Sequence, residues 1–483
     1  MKKRTVSIIL AVLLLLALCG CTGTPSDTTA AGSTEIPAMS SANTDPVQTV
    51  PVETTLPTTA APEEPFPVLS GEEALAVAPK PKGREPDLQK DAGDGATQLL
   101  YTKAKADELA SYVEDLRNAG FRCRSDRTVG DNRFVSFTGK GVSVTAYFAA
   151  RYQTLRVIAE PQANYCVAPA LAVAPVTTPL LTMIGRRYSN SSTYLGEDSG
   201  AGGMCFLLRL SDGRFIVIDG GVSDTGLGSF STALYAKMTE QAPDKNNIEI
   251  AAWFFTHTHG DHVGGFKSFV AAYSKRVKIQ SLLYNFPCDA DYDIACDEPV
   301  SARDSFRAAL ANHCKDVPIY KIHTGQQLWF ADALVEIYYT QEDFLTKSRD
   351  ITQLSTKNWN NTSAIFSVDI AGQRIMFLGD CQTEGNNQTS VIFGSYLRSD
   401  FVQIAHHGGV GGTNDIYRAV DAKVGLFTTT DALLPVYINK WSYNAYAVNK
   451  LHMQEYFNSA DRITTFALPY TPKGSGFNKS VKN

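Results

Sequence analysis

Hydrophobic and polar positions repeat with two different periods in the first third of the chain. Between residues 109 and 116 apolar side chains recur at spacings of three and four, which predicts an amphipathic helix, and Gly120 suits its C-terminal cap. Strict alternation at residues 142–148 and 155–159 predicts two strands that pair as a hairpin. Residues 66–168 are therefore predicted to form a small α/β domain. This segment contains no histidine and no catalytic pattern, so we expect a binding, spacer or packing role.

Short apolar segments and helical patterns interleave from residue 180 onward. Strands are predicted at residues 215–218, 248–255, 279–284, 335–339, 364–370, 374–378 and 401–405. A helical spacing follows the second of these strands, at residues 266–273. We therefore predict a second and larger α/β domain over residues 180–483, after an Ala/Pro/Val-rich linker at residues 166–179.

The N-terminal segment has the charge and hydropathy pattern of a targeting signal. Basic residues at positions 2–4 precede an apolar run at residues 6–18, which is shorter than the roughly 20 residues of a membrane span. The run ends in the sequence LCGC at residues 18–21, which resembles a bacterial lipoprotein signal. The resemblance implies that residues 1–21 are the signal, that Cys21 carries lipid, and that the protein is anchored at the extracytoplasmic face of the cell membrane. A plain secretory signal or an anchor helix is the alternative.

Composition separates the next segment from the folded part of the chain. Residues 22–65 are rich in Thr, Ser, Ala and Pro and have almost no large apolar side chains, so we predict a disordered tether. In the whole chain 44% of the residues are hydrophobic, which is enough to bury a core. The formal net charge of -5 argues against a general polyanion-binding surface.

Candidate metal ligands are concentrated directly after the predicted strand at residues 248–255. Three of the eight histidines fall within the sequence HTHGDH at residues 257–262. The alternate positions His257 and His259 can face one cation, and Asp261 and His262 can face a second one nearby. Imidazole and carboxylate ligands suit Zn²⁺, Mn²⁺ or Fe²⁺. A solvated histidine-rich loop and a metal site without catalysis are the alternatives.

This pattern, His-x-His-x-Asp-His, resembles the signature of the metallo-β-lactamase superfamily. Further landmarks resemble that superfamily in the same order: IVIDGG at residues 216–221, FLGD at 377–380 and AHHGG at 405–409. The resemblance covers roughly residues 180–483 and implies a four-layer αββα sandwich with the metals at one sheet edge. The sequence NNTS at residues 360–363, with the later landmarks, is similar to the hydrolase domain of the bacterial competence DNA-uptake channel and its stand-alone extracellular relatives.

The resemblance implies a site for two divalent metal ions, Zn or Mn. The implied ligands are His257, His259 and His406 at the first ion, Asp261 and His262 at the second, and Asp380 between the two. A metal-bridging hydroxide would attack the substrate, with Asp261 and Asp380 as catalytic residues and His407 as proton donor to the leaving group. Whether His406 or His407 is the ligand stays open, and a packing role for His407 is the alternative. Asp219 is expected to orient a ligand through a hydrogen bond.

The chain departs from the pattern of these families in two places. Many superfamily members have another metal-binding histidine before the bridging aspartate, where this chain has only His313 and His323. We interpret both as surface residues, and the competence subgroup lacks that ligand too. The competence domain often has a histidine shortly after Asn-x-Tyr, whereas none follows residues 444–446 closely. This weakens the nuclease analogy in particular.

The sequence therefore predicts a metal-dependent hydrolase at the outer cell surface. We expect the substrate to be a small or polymeric phosphodiester, either nucleic acid or a cell-surface phosphoester. Hydrolysis of amide, lactone or thioester bonds is one alternative, and a surface binding protein with a vestigial metal site is another. No strongly basic tract supports binding of long nucleic acid. β-Lactam hydrolysis is disfavoured, because zinc β-lactamases differ at the position of Asp261.

Overall fold

The computed structural model describes residues 69–168, 175–192, 196–224, 229–295, 297–345, 359–474 and 476–477. These residues all belong to one structural unit, residues 63–483. The predicted signal at residues 1–21, with Cys21, and the predicted tether at residues 22–65 lie outside the described residues. Within the described part of the chain, no helix combines the length and the apolar composition of a membrane span.

The first part of the described chain is a six-stranded antiparallel sheet with two helices. Its strands are β1 Leu88–Gly93, β2 Ala96–Thr102, β3 Arg122–Val129, β4 Asn132–Gly139, β5 Val142–Ala149 and β6 Thr154–Pro161. Its helices are α1 Gly71–Val77 and α2 Ala106–Asn118. The strand order is β1-β2-β6-β5-β4-β3. The predicted amphipathic helix is α2, and the predicted hairpin is the antiparallel pair of β5 and β6.

Both faces of this small sheet are buried. On one face Val144 and Val157 pack in one apolar cluster with Leu109 and Leu116 of α2. On the other face Tyr147 belongs to a cluster that continues into the larger part of the chain. The polar positions of the alternating strands therefore face protein rather than solvent.

Two eight-stranded sheets form the larger part of the chain. The first sheet contains β7 Leu180–Met183, β10 Phe206–Arg209, β11 Phe215–Ile218, β12 Ile248–Phe254, β13 Val277–Ile279, β14 Leu282–Tyr284, β15 Ile319–Lys321 and β23 Thr464–Ala467. The second contains β16 Gln327–Phe330, β17 Ala333–Tyr339, β18 Ile365–Ile370, β19 Gln373–Phe377, β20 Phe401–Gln403, β21 Val424–Phe427, β22 Glu455–Asn458 and β24 Gly476–Phe477. A separate ribbon pairs β8 Arg187–Ser192 with β9 Gly196–Gly202.

In each sheet a run of parallel strands extends from the middle to one edge. The first sheet runs β15-β14-β12-β11-β10-β7-β23, with β13 also paired to β12, and β11 and β12 are parallel. The second runs β16-β17-β18-β19-β20-β21-β22-β24, and β19 and β20 are parallel. Side chains that follow neighbouring parallel strands therefore meet at one edge of each sheet.

Helices cover the outer face of each sheet. They are α3 Phe230–Gln241, α4 Gly260–Tyr273, α5 Asp289–Asp293, α6 Asp297–His313, α7 Gln341–Leu345, α8 Thr383–Phe393, α9 Asn414–Val420, α10 Leu433–Lys440 and α11 Ser442–Lys450. Trp253 of β12 contacts Phe266 and Phe269 of α4, with ring centroids 5.0 and 5.1 Å away. The next residue, Phe254, points to the other face and stacks on Phe366 of β18, with centroids 5.3 Å apart. Apolar clusters between the sheets and under the helices complete the predicted four-layer αββα sandwich, which is confirmed.

The small sheet packs on the sandwich through buried charged groups. Arg156 donates to the carbonyl of Glu342 over 2.7 Å, and Tyr147 bonds to Asp343. His323, which follows β15, lies between two carboxylates, with Nε2 3.0 Å from Glu160 of β6 and Nδ1 3.0 Å from Glu342 of α7. The expected surface position of His323 is therefore wrong, because the small sheet covers it completely. His313, at the end of α6, is exposed as expected.

Candidate metal centre

Four segments of the chain converge where parallel strands of the two sheets end. Asp219 follows β11 and the segment 257–262 comes shortly after β12 in the first sheet. Asp380 comes shortly after β19 and residues 406–407 follow β20 in the second sheet. Except for His406 and Asp261, which are partly exposed, these predicted ligands are largely buried. Each sheet therefore contributes about half of one site.

The candidate ligands of the first sheet lie within contact distance of one another. His257 Nε2 is 3.0 Å from His259 Nδ1, and His262 Nε2 is 3.9 Å from Asp261 Oδ1. His262 Nε2 also lies 3.1 Å from Asp380 Oδ2 of the second sheet. Two groups of ligand atoms result, each with all its atoms within 4.8 Å: His257, His262 and Asp380, and Asp261, His262 and His407.

The two neighbouring histidines of the second sheet occupy different positions. His407 Nε2 lies 3.1 Å from Asp261 Oδ2 and 3.4 Å from Asp380 Oδ2, and its ring is held by a 2.7 Å contact from Nδ1 to Thr428. His406 Nε2 lies farther out, 3.8 Å from Asp380 Oδ2, and its side chain is 27% exposed. Its Nδ1 contacts the carbonyl oxygen of Val410. Both imidazoles reach Asp380, but only His407 joins a group of ligand atoms.

The backbone at these histidines adopts a strained conformation. The φ angles of His406 and His407 are 51° and 58°, in the left-handed region that residues other than glycine rarely enter. Residues of α11 hold the turn: Asn444 donates to the carbonyl of Gly408 over 2.6 Å, and Tyr443 donates to the carbonyl of Gly409 over 3.1 Å. Strain of this kind persists only where surrounding contacts enforce it. Residue 444, from the incomplete Asn-x-Tyr pattern, therefore has a structural role here.

Hydrogen bonds behind the candidate ligands orient their rings. Asp219 Oδ2 lies 2.7 Å from His262 Nδ1, which turns His262 Nε2 toward Asp380. Thr256 donates to Asp219 through both its backbone N–H and its hydroxyl, each over 2.8 Å, and this hydroxyl also lies 3.1 Å from His257 Nδ1. The predicted hydrogen bond from Asp219 to a candidate ligand is thus confirmed. Such contacts fix which ring nitrogen remains for a metal.

The sequence NNTS at residues 360–363 supports the turn that carries Asp380. The Ser363 hydroxyl accepts from the backbone N–H of Asp380 over 3.2 Å, and the Asn361 side chain accepts from that of Gln382 over 3.2 Å. Asn360 reaches the site itself, with Nδ2 3.4 Å from His406 Nε2. Residues 360–363 therefore contact both parts of the site that follow strands of the second sheet, the turn of Asp380 and the side chain of His406.

Three side chains at the site carry no signal in the sequence. Glu298, at the start of α6, accepts from the backbone N–H of Gly260 over 2.7 Å. Tyr292 and Trp359 hold Thr258 of the histidine-rich segment, with its hydroxyl 2.8 Å from the Tyr292 hydroxyl and 3.1 Å from Trp359 Nε1. All three come from segments that lie 34 to 101 residues away from their partners. Only the folded chain brings them to the site.

Burial and neighbouring charges shift the pKa values of the candidate ligands in different directions. Burial lowers the pKa of His257 well below its ordinary value, and it lowers the pKa of His259 to about 4. Burial alone would raise the pKa of Asp380, but the neighbouring His262 and His407 outweigh it and hold that pKa well below its usual range. Burial alone would lower the pKa values of His262 and His407, but Asp380 outweighs it, which raises the pKa of His262 well above its ordinary value and that of His407 to about 9. Without a cation the site thus holds neutral imidazoles at two positions and imidazolium groups beside the ionised Asp380, and a divalent metal would displace the protons of those imidazolium groups.

Buried polar atoms of the site lack hydrogen-bond partners. They are His259 Nε2, His262 Nε2, His407 Nε2 and Asp380 Oδ1. Leaving such atoms unpaired in a protein interior is costly, and native proteins rarely do so. Divalent cations near Asp380 would satisfy the last three of these atoms. The donor set therefore fits the two-metal site that the sequence implied.

Comparison with known proteins finds a family match for one segment of the chain. Residues 199–325, which contain Asp219 and the segment 257–262, match the sequence model described as the metallo-beta-lactamase superfamily. No curated protein matches the chain.

Solved structures with this fold are similar only at a distance. YhfI, a metallo-beta-lactamase fold protein of Bacillus subtilis, is 12% identical over 55% of this chain and 95% of its own, with a TM-score of 0.31. The short form of human tRNase Z is 15% identical over 58% and 91%, with a TM-score of 0.29. Yeast PDE1 is 11% identical over 59% and 88%, with a TM-score of 0.33. Likenesses this distant say nothing about activity. Residues 199–325 thus match the metallo-beta-lactamase superfamily, and the αββα architecture around them is the fold expected for that superfamily.

Proposed function

We propose that the protein is a metal-dependent hydrolase of phosphodiesters, anchored by lipid on Cys21 at the outer face of the cell membrane. The observation that carries the hydrolase assignment is the position of Asp380. Its buried carboxylate lies within 3.1 to 3.8 Å of the imidazoles of His262, His407 and His406. A carboxylate with imidazole groups around it suits a bridge between two cations.

Divalent cations held by these residues would supply Lewis acidity, which would acidify bound water and offset the negative charge that develops on the substrate. The chain's own residues set the geometry. Asp219 fixes the ring of His262, and Ser363 fixes the turn of Asp380, so these ligands are positioned before substrate arrives. Because His406 is the more exposed of the two neighbouring histidines, we propose that it faces the leaving group and exchanges a proton at Nε2. His407, in contact with Asp261, then completes the second set of ligands.

Two features of the sequence favour one class of substrate. Similarity of residues 360–363 and 406–408 to the competence hydrolase domain favours a phosphodiester. The net charge of -5 favours a small or cell-surface phosphoester over long nucleic acid. Amide, lactone or thioester hydrolysis is the second candidate, since the same metal chemistry polarises a carbonyl group equally well.

An activity screen of the chain without residues 1–21 tests this function. We expect hydrolysis of bis-p-nitrophenyl phosphate with added Mn²⁺ or Zn²⁺ and loss of that activity with a chelator, since the metals would activate the attacking water. Elemental analysis should show about one to two bound metal equivalents. Turnover of a thioester alone would support the second candidate. Protein that binds neither metal would leave only a vestigial binding site.

Two substitutions in the same screen separate the roles of the neighbouring histidines. We expect His407→Asn to lose about one metal equivalent, because a ligand is gone. His406→Asn should retain both metals and lose turnover. The opposite result would support the assignment made from the sequence, with His406 as ligand and His407 as proton donor. Single-stranded DNA, included as a further substrate, decides whether nucleic acid is hydrolysed at all.

The proposed anchor depends on one residue. Cys21→Ala is expected to move the protein out of the membrane fraction or to leave its signal uncleaved, because the acyl chains attach to that thiol. Membrane fractionation and intact-mass measurement report the two outcomes, and Cys19→Ala is the matched control. A Cys21→Ala protein that fractionates and weighs like wild type, apart from the substituted atoms, contradicts the lipid anchor.

A further inference from the structure

Glu298 lies immediately behind the histidine-rich segment, on an element that the proposed mechanism does not use. Its Oε1 accepts a hydrogen bond from the backbone N–H of Gly260 over 2.7 Å. Its Oε2 lies 3.3 Å from Nε2 of His259. That nitrogen is buried and makes no hydrogen bond, although buried ring nitrogens normally find a partner. A small rotation of either side chain would close this pair.

The other nitrogen of His259 faces the metal centre. His259 Nδ1 lies 3.0 Å from His257 Nε2, so the two atoms converge on one point. If His259 holds a cation through Nδ1, the proton of its neutral ring would reside on Nε2. Nε2–H therefore becomes a donor that points at the Glu298 carboxylate. Metal-binding histidines in proteins almost always donate their second N–H to such a group.

We infer that Glu298 is a positioning residue for the metal centre, which orients His259 through Nε2 and fixes the start of α4 through Gly260. This inference rests on the proposed metal-dependent function. It assigns His259 the same kind of support that Asp219 gives to His262. Each of these two imidazoles then has a carboxylate on the side away from the metals.

The two supports differ in their surroundings. Asp219 is completely buried beneath the site, whereas the Glu298 side chain is 45% exposed at the start of α6. Solvent screens an exposed carboxylate, so its contribution to metal affinity is smaller than that of a buried one. Loss of an orienting partner typically weakens metal binding by about ten- to a hundredfold, and we expect a value near tenfold for Glu298.

Metal titration of the demetallated chain tests this role without measuring activity. Calorimetry with Zn²⁺ should show that Glu298→Ala weakens one binding equivalent by about tenfold and leaves the other unchanged. Glu298→Gln should bind more tightly than Glu298→Ala, since the amide oxygen still accepts from Nε2–H. The visible spectrum of the Co²⁺-loaded protein should change in Glu298→Ala, because the orientation of His259 changes. Asp304→Asn, in an exposed carboxylate of the same helix that pairs with Arg303, is the matched control.

The outcomes separate this inference from the proposed function. Wild-type protein that binds no metal overturns the proposed function and with it the role of Glu298. Wild-type metal binding together with unchanged affinity and an unchanged Co²⁺ spectrum in Glu298→Ala overturns the role of Glu298 alone. If Glu298→Ala lowers the unfolding temperature of the demetallated protein but leaves the metal affinity and the Co²⁺ spectrum as in wild type, the residue only supports the start of α4 and the inference is wrong.

Discussion

Asp380→Asn is expected to reduce hydrolysis of the best substrate by about a hundredfold or more, as for loss of a central electrostatic group. The amide keeps the shape of the side chain but loses the negative charge that faces three imidazoles. Bound metal should fall in parallel, which elemental analysis measures. Circular dichroism should stay unchanged, because Ser363 still holds the backbone of residue 380.

The choice of Asp380 over nearby aspartates is itself testable. Asp369 and Asp400 flank the same strands, but both bond to Arg374 rather than to a candidate ligand. Asp415→Asn, in an exposed carboxylate that pairs with Arg418, is the matched control. Near-normal turnover in Asp380→Asn would show that the second sheet's part of the site is assigned wrongly.

Removal of His323 is expected to lower the free energy of unfolding by about 3–5 kcal/mol, the usual cost of breaking a buried ion pair by deleting one partner. Burial alone would lower the pKa of His323, but Glu342 and Glu160 outweigh it and raise that pKa to about 10. Without the imidazolium, the buried carboxylates of Glu160 and Glu342 lose the cation that lies between them. Urea unfolding of His323→Gln measures the effect, with the exposed His313→Gln as control.

The raised pKa also predicts how stability depends on pH. The folded protein holds the His323 proton more tightly than the unfolded chain, whose ordinary pKa is 6.5. This stabilisation is therefore complete below pH 6.5 and is lost as pH rises through about 10. Wild type should lose stability over that range more steeply than His323→Gln. Parallel pH profiles for the two proteins would contradict a charged His323.

The sequence predicts the parts of the site that are local along the chain. The segment 257–262 contains four candidate ligands, and the turn after β12 brings three of them, His257, Asp261 and His262, into groups of ligand atoms. Asp380 and residues 406–407 could be found because each follows a short apolar strand and lies in a short motif, FLGD at residues 377–380 and AHHGG at residues 405–409. Both motifs are local in the sequence and do not depend on how distant parts of the chain pack. The residues that they indicate therefore lie together in the folded chain.

Contacts between distant segments could not be predicted in this way. His323 meets Glu160 across 163 residues, and Glu298 meets Gly260 across 38. In β5 the alternation of Val144 with Thr145 predicts one solvent-facing side, yet the sandwich covers that side as well. A pattern within one strand reports its period but not what packs on its polar face.

The division of the metal centre between the two sheets has a mechanical consequence. His257, His259 and His262 belong to one sheet edge, and Asp380 and His407 belong to the other. Cations coordinated from both sides would link the two sheet edges, and their binding would stabilise the folded state by an amount that grows with the logarithm of the metal concentration. The metal centre would then also hold the two sheet edges together. Loss of metal would therefore weaken the fold at the same place where it removes the proposed activity.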